Sequence, residues 1–301
     1  MKDFEYFAPH TLEEGLRLLE EKRENARLLA GGTDLVVQMK SGRVSPSSII
    51  DTKKIPELNR LDDDPGTGLF VGAAVPVSRM NAFPALASKY GLLHDACSLI
   101  GSFQLRSRAT VGGNICNAAP SADSAPPLLC LDARAIAASM NGSRSIPMTD
   151  FFVGPGINAL APDELLVGIE IPPPSGQAAG SYLRHIPRQE MDIAVVGVAS
   201  LLVISPENGL CAEARISLGA VAPTPIRASA AESALVGTDL ASDILEKAAY
   251  LASESARPIS DMRGSKDYRR EIVRVLTRRT LAKAMSLITG FRKTGRTEVN
   301  G

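Results

Sequence analysis

The residues best suited to holding a phosphorylated ligand cluster between Ala109 and Asp123. Gly112 and Gly113 can take positive φ and let a ligand reach main-chain N–H groups with no Cβ in the way. Thr110 and Asn114 flank them with short side chains able to donate to phosphate oxygens, and Asp123, acceptor-only when ionised, suits a ribose hydroxyl. An isolated Gly-Gly is usually a turn, but a second element of the same kind lies about eighty residues upstream. There Leu28–Ala30 read as a short buried strand, Gly31-Gly32 as a tight turn, and Thr33 or Asp34 as the N-cap of a helix through Leu35, Val36, Val37 and Met39. Strand, glycine turn and helix N-terminus aim unpaired N–H groups and the helix dipole at one spot. Neither stretch has the Rossmann or P-loop spacing, so the pair suggests one diphosphate held from both sides.

The chain offers little chemistry of its own. No Ser/His/Asp or Cys/His set stands at motif spacing, and no paired carboxylates share a loop with a ligand signal, so a borrowed reagent is required. Cysteines 97, 116, 130 and 211 match no C-x₂-C or ferredoxin pattern, which leaves no iron–sulfur or zinc site, and Cys116 reads as a small apolar filler. Asp62-Asp63-Asp64 before Pro65-Gly66 reads as a solvated loop. His185, alone in its segment, reads as packing.

The stretches LLAGGTDLVVQMK (28–40) and IGSFQLRSRATVGGNICNAAPSAD (100–123) resemble the FAD-binding medium subunits of the molybdenum hydroxylases, the xanthine dehydrogenase and carbon monoxide dehydrogenase family. The likeness continues through DELLVGIEIP (163–172), RQEMDIAVV (188–196) and RISLGAVAPTPIRA (215–228), nearly the whole chain. It implies an FAD site formed by Leu29, Ala30, Gly31, Gly32, Thr33, Asp34 and Leu35 together with Thr110, Gly112, Gly113, Asn114 and Asp123. It further implies Leu166 near the adenine, Ile100 on the flavin side, and Arg184 where many relatives carry Lys near the flavin ring. The implied partners are a molybdopterin-containing large subunit, a small [2Fe–2S] subunit, and NAD⁺ or another electron acceptor. A self-contained flavin oxidase with its own organic substrate, and a flavin subunit like that of 4-hydroxybenzoyl-CoA reductase, remain as alternatives. The latter carries an inserted cysteine-bound cluster that has no counterpart here.

The elements that must position these residues point to an α+β protein of three units, 1–57, 58–174 and 177–290. The resemblance implies that the first two form a two-part FAD-binding domain of the vanillyl-alcohol-oxidase/PCMH type and the last a smaller C-terminal α+β domain, an antiparallel sheet with helices. Thr11-Leu12-Glu13-Glu14 is a capping box before a helix with Leu12, Leu16 and Leu19 on one face. Helices are expected near 82–89 and 92–101, Pro126-Pro127 opens a short one at 128–131, and 172–176 is the clearest linker. The last unit predicts strands at 194–204 and 213–221, helices at 227–236 and 243–253, and a long final helix with Val273, Leu276, Ala284, Leu287 and Phe291 at core spacing.

Hydrophobic residues make up 45% and charged residues 22% at formal net charge zero, so neither a nucleic-acid partner nor membrane insertion is called for. No apolar run approaches a transmembrane length and Met1–Glu5 opens with acids, so a cytoplasmic protein is expected. From Arg263 to Arg296 eleven Lys or Arg stand against two acids, a solvated face or a surface for an acidic partner.

Overall fold

A computed structural model describes residues 2–188 and 191–295, with side chains through Thr289. The architecture is α+β, in two compact units: one is formed by the chain up to Pro84 with Ile100–Ala119 and Asp132–Pro173, the other by Ala85–Leu99, Pro120–Leu131 and the chain from Pro174 on.

In the first unit, Glu5–Phe7 and Ala26–Leu29 pair in parallel with the central strand Ser48–Asp51, all four residues of which are buried. The helix Leu12–Lys22 connects the first two strands; Thr11 Oγ1 accepts from Glu14 N at 3.2 Å, as the capping box requires, while the Glu14 carboxylate reaches back to His10 N at 2.9 Å. Leu16 and Leu19 are buried, Leu12 half-buried. A five-stranded antiparallel sheet follows, in the order Leu61–Asp64, Gly68–Gly72, Leu165–Ile171, Arg134–Ser139 and Gly142–Pro147.

This sheet corrects the reading of Asp62–Asp64 as a loop. The three acids lie on its edge strand, paired with Gly68–Phe70, and the turn proper is Pro65–Thr67, where Asp64 Oδ1 accepts from Gly66 N at 2.8 Å and Thr67 N at 2.9 Å. An edge strand tolerates such charge because its outer side meets water.

The second unit is built on an antiparallel sheet ordered Gln177–His185, Val196–Ile204, Cys211–Gly219 and Ile226–Arg227. Every residue of Val196–Ile204 is buried, so both faces of the sheet are covered. Gly91–Leu99, Ala125–Cys130 and Lys266–Gly295 pack on it. The strand Gln177–His185 was not anticipated; its run QAAGSYLRH follows a proline-rich linker and has weak alternation. Val273, Leu276 and Ala284 are in the core as expected, but Leu287 is 40% exposed, and Phe291 falls outside the described side chains. The basic face of this last helix is partly spent within the chain: Arg269 is buried and binds Asp261 at 2.7 Å, Arg274 reaches Glu246 at 2.6 Å, and Lys283 reaches Asp95 at 3.0 Å.

Candidate cofactor site

The first unit brings the two glycine stretches into contact. Gly31 lies so close to the backbone entering the second stretch that a Cβ there would stand 2.2 Å from the Arg108 carbonyl oxygen and 3.0 Å from Ala109 Cα. Gln38 Nε2, on the helix Leu35–Lys40, donates to Asn117 Oδ1 at 3.2 Å and joins the far ends of the two stretches. Gly32 makes the sharp turn with φ +77°, the left-handed region that favours glycine. Val36 N donates to Gly32 O and Gln38 N to Asp34 O, whereas none of the N–H groups of Gly31–Leu35 donates to the backbone among the described residues. Asp34 sits at the N-cap position, but in helical geometry and without a side-chain capping bond. Its carboxyl is pushed up by desolvation although the residue as a whole is exposed.

The second stretch differs from expectation. Gly112 and Gly113 are no positive-φ turn; they lie inside the short helix Val111–Cys116, capped by Thr110, whose Oγ1 accepts from Gly113 N at 2.8 Å. That leaves the Thr110 hydroxyl proton available as a donor. The helix ends in a left-handed Ala118 at φ +46°, whose carbonyl accepts from Gly156 N at 2.9 Å. The two glycines have separate causes. A Cβ at Gly112 would come within 2.6 Å of the Ala73 backbone, so packing within the unit requires glycine there. Gly113 is exposed and has helical φ, and a Cβ would meet only Thr110 Oγ1 at 3.0 Å. Among the described residues only that one tight contact with Thr110 Oγ1 constrains position 113, so the residue fits the close approach of an external group.

The other expected residues fall as follows. Leu29 and Ala30 lead into the first turn, Leu35 begins the following helix, and Asn114 is half-buried with its N–H on Thr110 O at 3.0 Å. Ile100 is half-buried and its carbonyl accepts from Arg106 Nη1 at 3.1 Å; Leu166 is buried in the strand Leu165–Ile171. Cys116 is half-buried and its thiol is pushed up to about 12 by desolvation, which leaves almost no thiolate at neutral pH.

In the second unit, Asp123 and Arg184 bind each other at 2.5 Å, and Tyr182 donates its hydroxyl to the other Asp123 oxygen at 2.7 Å. Tyr182 and Arg184 are two apart on one strand and therefore share a face. Burial raises the Asp123 carboxyl, partly offset by Arg184 and Tyr182; burial and Asp123 hold the Tyr182 phenol well above its ordinary value. Sequence reasoning missed Tyr182, because its partner Asp123 lies far away in the chain and the strand's alternation is weak. His185 Nε2 meets the Tyr268 hydroxyl at 3.0 Å, in keeping with a packing role.

A family model described as the FAD binding domain in molybdopterin dehydrogenase matches residues 2–174, and one described as the CO dehydrogenase flavoprotein C-terminal domain matches 181–284. The chain belongs to the FAD-binding subunits of the molybdenum hydroxylases. This FAD-binding oxidoreductase subunit is 33% identical to the xanthine dehydrogenase FAD-binding subunit of Escherichia coli O157:H7, over 96% of this chain and 99% of that one. It is 33% identical to the carbon monoxide dehydrogenase medium chain of Afipia carboxidovorans, over 93% and 96%. Its fold matches a carbon monoxide dehydrogenase structure from Hydrogenophaga pseudoflava with a TM-score of 0.90 at 32% identity, covering 95% of this chain and 98% of that chain. The medium-subunit resemblance and the FAD expectation are thereby borne out.

Proposed function

We propose that this FAD-binding subunit holds the diphosphate of its cofactor on the N–H groups of Gly31–Leu35 and at Thr110, Gly112, Gly113 and Asn114. The observation that carries this reading is Gly113, where a Cβ would meet only Thr110 Oγ1 among the described residues, on the exposed face of a capped helix that adjoins the first glycine turn. Backbone N–H groups bind without reorganising, and the Thr110 hydroxyl adds a donor while its lone pair holds Gly113 in place. Leu29, Ala30, Ile100, Leu166, Asp123 and Arg184 are proposed as further contacts, with Asp123 directed to a ribose hydroxyl and Arg184 to the flavin. The sequence division 1–57, 58–174 and 177–290 accompanies this reading.

Bound FAD supplies the redox chemistry, exchanging electrons singly or in pairs. The residues of this chain bind and orient it; with three of the four thiols pushed up to about 12 and the fourth to about 11, none competes as a nucleophile near neutral pH. We assign the chain to a heteromeric assembly in which a molybdopterin-containing large subunit oxidises substrate, a small [2Fe–2S] subunit relays electrons, and NAD⁺ or another acceptor receives them. The relatives' names as subunits and medium chains support this. A cytoplasmic location accompanies the proposal, and no helix among the described residues is long and apolar enough to cross a membrane. Purification of the native complex followed by flavin, molybdenum and iron analysis tests the assignment. FAD, molybdenum and iron in one complex, with all FAD released by acid, support it. A chain that purifies alone with flavin and oxidises an organic substrate overturns it.

A further inference from the structure

Beneath the first glycine turn lies a polar cluster that no cofactor contact uses. Asp51, 5% exposed at the end of the central strand Ser48–Asp51, accepts from the Tyr6 hydroxyl, from Lys53 N at 3.0 Å and from Lys53 Nζ at 2.6 Å. Burial pushes the Asp51 carboxyl up, but the Lys53 and Tyr6 donors outweigh it and hold it below the usual carboxylate range. The acid is thus ionised and anchors the Lys53 ammonium from below. The same ammonium lies 3.4 Å from the Ala30 carbonyl oxygen, and the neighbouring Thr52 hydroxyl donates to the Leu29 carbonyl at 3.3 Å. Two successive carbonyls leading into Gly31-Gly32 are therefore tied by adjacent residues of one segment.

In a trans peptide the C=O and N–H point in opposite directions. Drawing the Ala30 oxygen towards Lys53 turns the Gly31 N–H the other way, and this orientation propagates into a turn whose N–H groups have no backbone acceptor among the described residues. Glycine makes the turn possible but leaves it loose, because it gives up the most backbone freedom when ordered. A cation fixed from below supplies the missing restraint. We propose that Lys53, held by Asp51 and Tyr6, is a positioning residue for FAD: it sets the Ala30–Gly31 peptide so that the turn presents its N–H groups to the diphosphate. The inference rests on the reading that Gly31–Leu35 bind that diphosphate.

The test measures FAD affinity of the full-length apoprotein by flavin fluorescence, with thermal unfolding alongside. Lys53→Met should weaken FAD about tenfold, and Lys53→Arg, which keeps a charged donor, should stay within about threefold of the parent. Ile49→Val, a packing change in the same strand, should lower stability while leaving FAD affinity as it was. Unchanged affinity in Lys53→Met overturns the proposal, as does a loss that Arg fails to rescue or that Ile49→Val reproduces. If Lys53→Met does not fold, Lys53→Gln, which keeps a neutral donor beneath the turn, is read instead. It should weaken FAD about threefold, and an unchanged value overturns the proposal. Gly113→Val separates the two readings: when it weakens FAD but the Lys53 variant does not, the positioning role alone fails.

Discussion

Arg184 and Asp123 satisfy each other: Arg184 Nη1 donates to Asp123 Oδ2 at 2.5 Å, and both side chains are about nine-tenths buried. Two residues whose types suggested separate ligand contacts are also one structural unit, completed by Tyr182.

Removing one member of a buried pair strands the other's charge. Asp123→Ala should therefore cost about 3–5 kcal/mol of stability, read as a lower urea midpoint of the apoprotein, and adding Arg184→Met should recover much of it. An unchanged midpoint for Asp123→Ala would show that the pair is solvated. Flavin loss in this variant must accordingly be read beside its stability.

The pH dependence of the first unit should carry the signature of Asp51. Its folded pKa is lowered from 3.8, so its contribution is fully present above that unfolded value and is lost as pH falls through the lower folded value. Asp51→Asn should be less stable than the parent at neutral pH and lose less on acidification from about pH 5 to about pH 3. Parallel stability curves for the two proteins would contradict this.

The four cysteines should be silent in the folded chain. Burial pushes Cys97, Cys116 and Cys130 up to about 12 and Cys211 up to about 11, which leaves almost no thiolate at mild alkaline pH. A chromogenic disulfide reagent should find no fast-reacting thiol in the native protein and four after unfolding. Rapid reaction of a native thiol would contradict this.

Two threonines one turn apart on the final helix should respond oppositely. Thr280 Oγ1 shares a 2.7 Å hydrogen bond with Ser200 in the core, whereas the buried Thr277 hydroxyl has no partner among the described residues. Thr280→Val should destabilise by about 1–2 kcal/mol, and Thr277→Val should be neutral or stabilising. Equal losses at both positions, measured by thermal unfolding, would contradict the assignment.

Local rules made much of this legible from sequence. The Thr11 cap and the Gly31-Gly32 turn each depend on residues within one turn of chain, and each is present; the short helix is present too, but it runs Ala125–Cys130 and holds Pro126-Pro127 in its first turn. Most misses depend on distant partners: Gln177–His185 became strand because Val196–Ile204 lies alongside. Asp62–Asp64 is a local miss, a hairpin arm paired across the Pro65–Thr67 turn with Gly68–Phe70, whose acids mask the strand signal. Gly112 is glycine on account of the Ala73 backbone, and Tyr182 matters through Asp123, which no local pattern announces.

The central claim is that the chain cradles the FAD diphosphate at Gly113. It is tested most directly by FAD binding to apoprotein carrying Gly113→Val, with far-UV circular dichroism to confirm the fold. Among the described residues a Cβ there would press only on Thr110 Oγ1, at 3.0 Å. Loss of one or more charge-assisted hydrogen bonds should weaken FAD about tenfold to a hundredfold and yield a folded, largely colourless protein. A folded Gly113→Val protein that keeps full flavin occupancy at high dilution would contradict the account.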